Sequence, residues 1–440
     1  MYDARRARLP CALVASDVDH TCARAGLPAS PTQARLENSC QRNFWRTHAQ
    51  SLMKMPGTLR RHQDAIWTAI QREAKRCAGC VPRNRTNDEA YAFLWGAPAL
   101  ALASGTNADG SFTDAMIGLA VAVHSVRRLD RLRAIVIMVA ISEADPMPSP
   151  LLLLARRYQP LRLRRVADLS STVRIARECQ SHQASRKESM LRNPAAMFNK
   201  FNVFGLGDEW RRVLYLDADV LLVRHVDGLW ALRFDKAQIA AAARTTERRP
   251  VCRPGYYYTH NAGVFLLRPS RALFNAIRNS ISDESFGHDE GFRCSSNGDQ
   301  PMWNRLLAHS APRAPYVRCL GHSWNCYHPE VLNQTRAMSY AEALHTLCAD
   351  TSTGGHHDAT IGSPSWDQTY AVDAKWNETS IAIAAAEPPA STKSLRAHPH
   401  VVHFATASKP WLRLANDSFY TRLWDAHKRA MLAHMFNGGT

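Results

Sequence analysis

The run Arg211-Arg212-Val213-Leu214-Tyr215-Leu216-Asp217-Ala218-Asp219-Val220-Leu221-Leu222-Val223 delivers two carboxylates, one residue apart, at the end of a short apolar stretch. Leu214, Tyr215 and Leu216 read as a buried strand. In an extended chain, residues i and i+2 project to the same side, so Asp217 and Asp219 are expected to converge on one cation. Uncompensated carboxylates beside so apolar a run would be costly unless a cation or solvent met them. An acidic pair at a strand's C-terminal end therefore points to a divalent ion and, behind it, a phosphate.

The rest of the 440-residue chain is that of a globular protein: 45% hydrophobic residues suffice for one large core or two modest ones. The formal charge of +17 favours an acidic partner such as a phosphorylated ligand, an anionic membrane or nucleic acid. Nucleic acid is disfavoured, because the pairs Arg127-Arg128, Arg156-Arg157 and Arg164-Arg165 are not interleaved with stacking aromatics. Eleven cysteines are too few for a disulfide scaffold, and their odd number leaves at least one unpaired or intermolecular. Asn-x-Ser/Thr acceptors at Asn84, Asn333, Asn377 and Asn416 tilt localisation towards the Golgi or secretory lumen over the cytoplasm. No run approaches the roughly 18 to 20 apolar residues of a membrane helix. The run Leu9 to Ala15 behind Arg5, Arg6 and Arg8 is too short for a clear signal peptide.

Residues 1–87 are basic and polar, with one helix expected near Leu59 to Arg76, and read as an N-terminal extension or stem. Cys77-Ala78-Gly79-Cys80 has zinc-knuckle spacing but no matching second pair, so a turn or a disulfide partner is the better reading. From residue 88 to 440 apolar runs alternate with amphipathic segments, the signature of an α/β domain. Strands are expected at Tyr91 to Trp95, Leu132 to Ile141 and Leu161 to Val166, with helices at Thr113 to Arg128, Leu151 to Tyr158 and Ala195 to Leu206. This order places Asp217 at the carboxyl edge of the sheet, where open α/β sheets bind ligands. Further strands are expected at Ile239 to Ala243 and Gly263 to Leu267, with helices at Arg271 to Ser280 and Gln300 to Ala308. Residues 329–396, rich in Ala, Thr, Ser, Gly and His, read as a partly disordered insertion.

Four blocks in order give the chain a specific resemblance: the segment bearing Lys200; Leu216-Asp217-Ala218-Asp219; Asn261-Ala262-Gly263-Val264-Phe265 with Asp299-Gln300; and Val402-His403-Phe404 with Lys409-Pro410-Trp411. Together they resemble the glycogenin-like glycosyltransferases of family 8. The resemblance implies the GT-A nucleotide-diphospho-sugar transferase fold, a Rossmann-like mixed sheet flanked by helices. It also implies a Mn2+-dependent, retaining enzyme that moves a hexosyl or glucuronosyl group from a UDP-sugar to a glycan, protein or small-molecule acceptor. A homodimer is compatible with such a chain.

Carried over residue by residue, the resemblance makes Asp217, Asp219 and His403 the metal ligands, a set that suits a cation taking oxygen ligands with an occasional imidazole. By itself His403, after Val401-Val402, would be a hydrogen-bonded core histidine; its place six residues before Lys409 favours the ligand role. Lys200 and Lys409 match lysines near the diphosphate, where an ammonium stabilises developing charge. Ala218, Asn261 and Gly263 match donor-binding positions, and Gly263 lets the backbone approach closely. Asp299 and Gln300 match residues that orient the sugar; Asp299 could also cap the helix that follows. Retention could proceed by double displacement through Asp299 or by a front-side route, and the residues do not separate the two. Two places depart from the family pattern: Ala405-Thr406-Ala407 lacks its glycine, and Leu94 and Trp95 stand where uridine contacts are usual. A noncatalytic nucleotide-sugar or polyanion-binding protein on the same fold is the alternative that these departures support.

Overall fold

The computed structural model describes residues 61–62, 64–66, 68–69, 72, 88–96, 105–107, 111–171, 194–232, 239–243, 260–283, 317–320, 324–327, 400–404, 409–412 and 419–436. His62–Thr245 and Pro250–Thr440 make up one unit, to which every element below belongs; of the other unit, Met1–Arg61 with Thr246–Arg249, only Arg61 is described. Described residues between 61 and 72 are helical, and His62 Nε2 lies 2.9 Å from Asp283 Oδ2.

The apolar runs become strands where the sequence predicts them. In chain order these are β1 (Glu89–Trp95), α1 (Asp114–Leu129), β2 (Ala134–Val139), α2 (Ser149–Arg157), β3 (Leu161–Arg165), a 3-10 helix (Pro194–Asp208), β4 (Arg212–Leu216) and β5 (Val220–Leu222). The second half adds α3 (Asp227–Trp230), β6 (Ile239–Ala243), β7 (His260–Leu267), α4 (Arg271–Ser282), β8 (Val317–Leu320), β9 (Cys326–Tyr327), β10 (Val401–His403) and α5 (Phe419–Phe436). α1 starts at Thr113, whose side chain accepts from the Met116 amide, and carries Asp114 in its first turn and Arg127 and Arg128 in its last. Cap and charges all favour this helix with this polarity.

A seven-stranded sheet has the order β3-β2-β1-β4-β7-β6-β8, and a smaller one the order β5-β10-β9. Pairing is parallel along β3-β2-β1-β4 and between β6 and β8, while β7 runs against both β4 and β6. β2 and β4 are buried along their whole length, which explains their continuous apolar sequences. From β1 the chain steps outward to β2 and β3, then returns to β4 on the other side of β1. That reversal opens a crevice at the carboxyl ends of β1 and β4, just where Asp217 follows Leu216.

The helix expected over Ala195 to Leu206 is present, but it winds with three residues per turn. The sequence Phe198-Asn199-Lys200-Phe201-Asn202-Val203-Phe204 explains why, since its residue types repeat every third position. A 3-10 helix eclipses residues i and i+3. Phe198, Phe201 and Phe204 therefore form one stacked row, with centroids 6.1 and 6.2 Å apart, that continues through Phe265 to Tyr215 on the sheet. Asn199 and Asn202 form the neighbouring row: Asn199 accepts from the Leu169 amide at 2.6 Å, and Asn202 donates to the Ala167 carbonyl at 2.9 Å. Burying each ring contributes on the order of 2 kcal/mol, which offsets the poorer hydrogen-bond geometry of this winding.

On the opposite face, α1 and α2 receive α5. His124 of α1 shares a 2.9 Å hydrogen bond with Tyr158, and its ring meets His427 of α5 edge-on at 5.6 Å. His124 Nε2 and His427 Nδ1 are both buried without a partner. Burial, helped by the neighbouring His427 and Arg128, pushes His124 down to about 3; burial and Arg128 push His427 down to about 4. Unfolding restores both to an ordinary value near 6.5, so between about pH 6.5 and 4 the unfolded chain binds protons that the folded chain does not. Stability is thus expected to fall with acidification through that window, by up to about 1.4 kcal/mol per pH unit for each histidine. Urea unfolding at pH 6 and pH 5 checks this: His427→Leu should lose less between the two than the unaltered protein, and equal losses would rule out His427 as a source.

Candidate active site

β4 belongs to the large sheet and β5 to the small one, so the three residues between them must carry the chain from one to the other. They do so as a turn: the Val220 amide donates back to the Asp217 carbonyl at 3.3 Å, while the Asp217 amide still donates to Gly263 on β7 at 2.8 Å. The two carboxylates converge as predicted, but through this turn and not through the alternation of an extended strand. Ala218 is half-buried against the core between them. β10 then pairs antiparallel with β5, setting His403 opposite Val220, and the Phe404 amide donates to the Asp219 carbonyl at 2.9 Å. A pairing distant in sequence thereby brings an imidazole to the acidic turn.

Around that turn the charges are matched in pairs. Lys200, one residue before the aromatic Phe201, points its Nζ at Asp217, 3.0 Å from Oδ1, and donates to the Ala262 carbonyl at 3.0 Å. The Tyr215 hydroxyl donates to the same carboxylate at 2.9 Å. Lys409 donates to Asp219 and to the Phe404 carbonyl, and its loop is anchored by Trp411, whose ring lies on Gly118 of α1. Burial works against ionisation of Asp219, but the Lys409 ammonium and His403 prevail and hold its carboxyl well below the usual range. Lys200, His403 and Lys409 are all buried.

One oxygen of Asp219 remains over. Its Oδ1 is buried and meets no aligned hydrogen-bond donor, its neighbour being Nε2 of His403 at 3.2 Å. Ligand atoms of Asp217, Asp219 and His403 all lie within 4.8 Å of one another. An orphaned carboxylate oxygen beside an imidazole nitrogen, with a second carboxylate in reach, is the donor set that a hard or borderline divalent cation takes. The residues present fit a divalent metal ion.

Sequence reasoning missed two residues of this cluster. Tyr215 was legible, since it shares a face with Asp217 in the strand, but only its apolar side was weighed. Asn325, beside β9, gave no signal: its Oδ1 faces His403 Nδ1 at 3.0 Å and its Nδ2 donates to Asn261 Oδ1 at 2.8 Å. That same oxygen accepts from the Gly263 amide at 2.8 Å. Asp299, Gln300 and the stretch 405–407 lie outside the described residues, as does the insertion expected over 329–396.

Gly263 is where the cluster is tightest. A Cβ there would come within 2.2 Å of His403 Cε1 and 2.9 Å of both Asn261 Oδ1 and Asp217 Oδ2. No rotamer change clears all three, because each is held by its own hydrogen bond or ion pair. Gly263→Ala is therefore expected to weaken divalent-cation binding at this cluster about 10-fold or more, with the far-ultraviolet circular dichroism retained. Calorimetric titration with Mn2+ measures it, and an unchanged affinity would show that the imidazole does not rest on this backbone.

Among curated relatives, inositol phosphorylceramide glucuronosyltransferase 1 of Arabidopsis thaliana is 30% identical over 169 residues, or 37% of this chain and 26% of that protein. Putative UDP-glucuronate:xylan alpha-glucuronosyltransferase 3 of the same plant is 22% identical over 161 residues, 34% of this chain and 22% of that protein. The chain thus spans about a quarter of the length of these relatives. Of solved structures, the galactosyltransferase LgtC in complex with donor and acceptor sugar analogues aligns at a TM-score of 0.43 and 14% identity, covering 78% of this chain and 95% of that one. Apo GlyE from Streptococcus pneumoniae TIGR4 aligns at 0.41 and 15%, covering 79% and 63%. The profile of glycosyl transferase family 8 matches residues 88–415, and with the mixed sheet and the acidic turn at its carboxyl edge the chain belongs to that family and has its GT-A fold.

Proposed function

We propose that this protein transfers a hexosyl or glucuronosyl group from a UDP-sugar to a glycan, protein or small-molecule acceptor, with retention at the anomeric carbon and in dependence on Mn2+. The observation that carries the reading is the convergence of Asp217, Asp219 and His403 at the carboxyl edge of β4, with Asp219 Oδ1 turned towards His403 Nε2. Those three residues would hold the cation. When bound, it supplies Lewis-acid stabilisation of the negative charge that develops on the diphosphate as the sugar leaves.

The chain's own groups do the rest. With Asp217 and Asp219 engaged as ligands, Lys200 and Lys409 are left to donate to diphosphate oxygens, fixed charges in a buried setting where they count for more than in water. Asn261 and Gly263 form the wall beside the metal ligands. Asp299 and Gln300 keep the sugar-orienting role that the family resemblance gives them. Both Arabidopsis relatives bear glucuronosyltransferase names, which puts UDP-glucuronate first among donors to try.

A donor screen by UDP release, with UDP-glucuronate, UDP-glucose and UDP-galactose, tests the reading. At least one donor is expected to turn over with Mn2+ and to stop in chelator, and Asp219→Asn should lower that rate about 100-fold or more. Absence of metal-stimulated UDP release with every donor would overturn it.

A secretory compartment fits the same protein: Cys326 is disulfide-bonded, a state that persists under oxidising conditions. Glycan at Asn84, Asn333, Asn377 or Asn416 follows from that placement. Endoglycosidase treatment of the protein from its native cells should increase its electrophoretic mobility, and no shift would count against the lumen.

A further inference from the structure

His403 is useful as a ligand only if Nε2, the nitrogen beside Asp219 Oδ1, keeps its lone pair. Which nitrogen carries the proton is decided by what faces the other one. Here Nδ1 faces Asn325, and an amide can present either its oxygen or its NH2 group. The choice is fixed further along the chain of contacts.

The chain ends at a backbone N–H, which can only donate. The Gly263 amide points at the Asn261 side chain at 2.8 Å, so the atom receiving it is the oxygen. That oxygen can only accept, so Asn325, 2.8 Å away, must turn its NH2 group towards it. Asn325 then has only its oxygen to offer to His403, and Nδ1 must carry the proton and donate across 3.0 Å. Reversing any member sets two acceptors or two donors face to face at hydrogen-bond distance, among residues that are all buried. Asn261, Asn325 and His403 have exposures of 5%, 1% and 3%, so water is not at hand to repair such a mismatch.

We propose that Asn325 is a positioning residue: oriented by Asn261, it holds His403 in the tautomer protonated at Nδ1 and so presents the Nε2 lone pair to the metal position. This rests on the metal site proposed above for its consequence, though not for its geometry. It also assigns the Asn261 oxygen to support of the imidazole.

The test uses the full chain labelled with 15N-histidine, free of metal and at alkaline pH, where imidazole is neutral. Loss of one spin system in His403→Gln assigns His403. The expected signature is a protonated Nδ1, retained in Asn261→Asp, whose carboxylate likewise only accepts. In Asn325→Leu the proton should move to Nε2, and Mn2+ affinity by calorimetry should fall about 10- to 100-fold. A bare Nδ1 in the unaltered protein, or an Asn325→Leu variant with Nδ1 still protonated and affinity unchanged, would overturn the proposal. If Asn325→Leu does not fold, the unaltered protein and Asn261→Asp decide it: a protonated Nδ1 in both supports the proposal, and a bare Nδ1 in either sinks it. Should Mn2+ bind none of the proteins, the metal site falls by itself, and the tautomer shift in Asn325→Leu still decides the role of Asn325.

Discussion

The short antiparallel pairing of β5 with β10 is the interaction on which the site depends. Val220, Leu221 and Leu222 lie opposite His403, Val402 and Val401, and all six are buried. Asp219 precedes the first strand and His403 ends the second, so this one register sets imidazole and carboxylate side by side. A slip of a single residue would turn His403 to the other face of its strand and leave Asp219 with a valine or a phenylalanine as neighbour. The register is fixed from both ends, since Val223 donates to the His400 carbonyl at one and Phe404 to the Asp219 carbonyl at the other.

A second support comes from the aromatic row beneath β4. Tyr215 stacks on Phe265 at 4.8 Å, Phe265 on Phe204, and Phe204 on Phe201. Lys200 precedes Phe201 and sits 5.4 Å from the face of Tyr215, so its ammonium is held by a ring as well as by Asp217. The 3-10 winding matters here. In an α-helix, successive phenylalanines at three-residue spacing would drift around the axis, and the row would not stay stacked.

Much of this was legible in the sequence. Buried strands announce themselves as continuous apolar runs, so β2, β4 and β7 were found nearly at their bounds, and Asp217 was placed at the carboxyl edge by counting strands and helices. The 3-10 winding is written in the three-residue repeat of Phe198, Phe201 and Phe204, a spacing close enough to the α-helical one that the segment reads simply as a helix. The direction of β7 was not readable, for antiparallel and parallel buried strands share one pattern. Asn325 was invisible for another reason. A single asparagine acquires its role only through partners on β7 and β10, and nothing in its local sequence specifies them.

The charges of the site form a closed set even without a ligand: Lys200 answers Asp217 and Lys409 answers Asp219. Leaving one member of such a buried pair alone costs about 3 to 5 kcal/mol, so the lysines stabilise the fold whether or not they take part in transfer. This bears on how the site must be read. The presence of both lysines does not by itself argue for catalysis, because the two carboxylates would require them anyway. What the pairing does not explain is Asp219 Oδ1, which Lys409 leaves untouched and which faces Nε2 of His403 at 3.2 Å. An imidazole whose proton is committed to Nδ1 cannot donate to that oxygen, and a cation between the two is what would satisfy both.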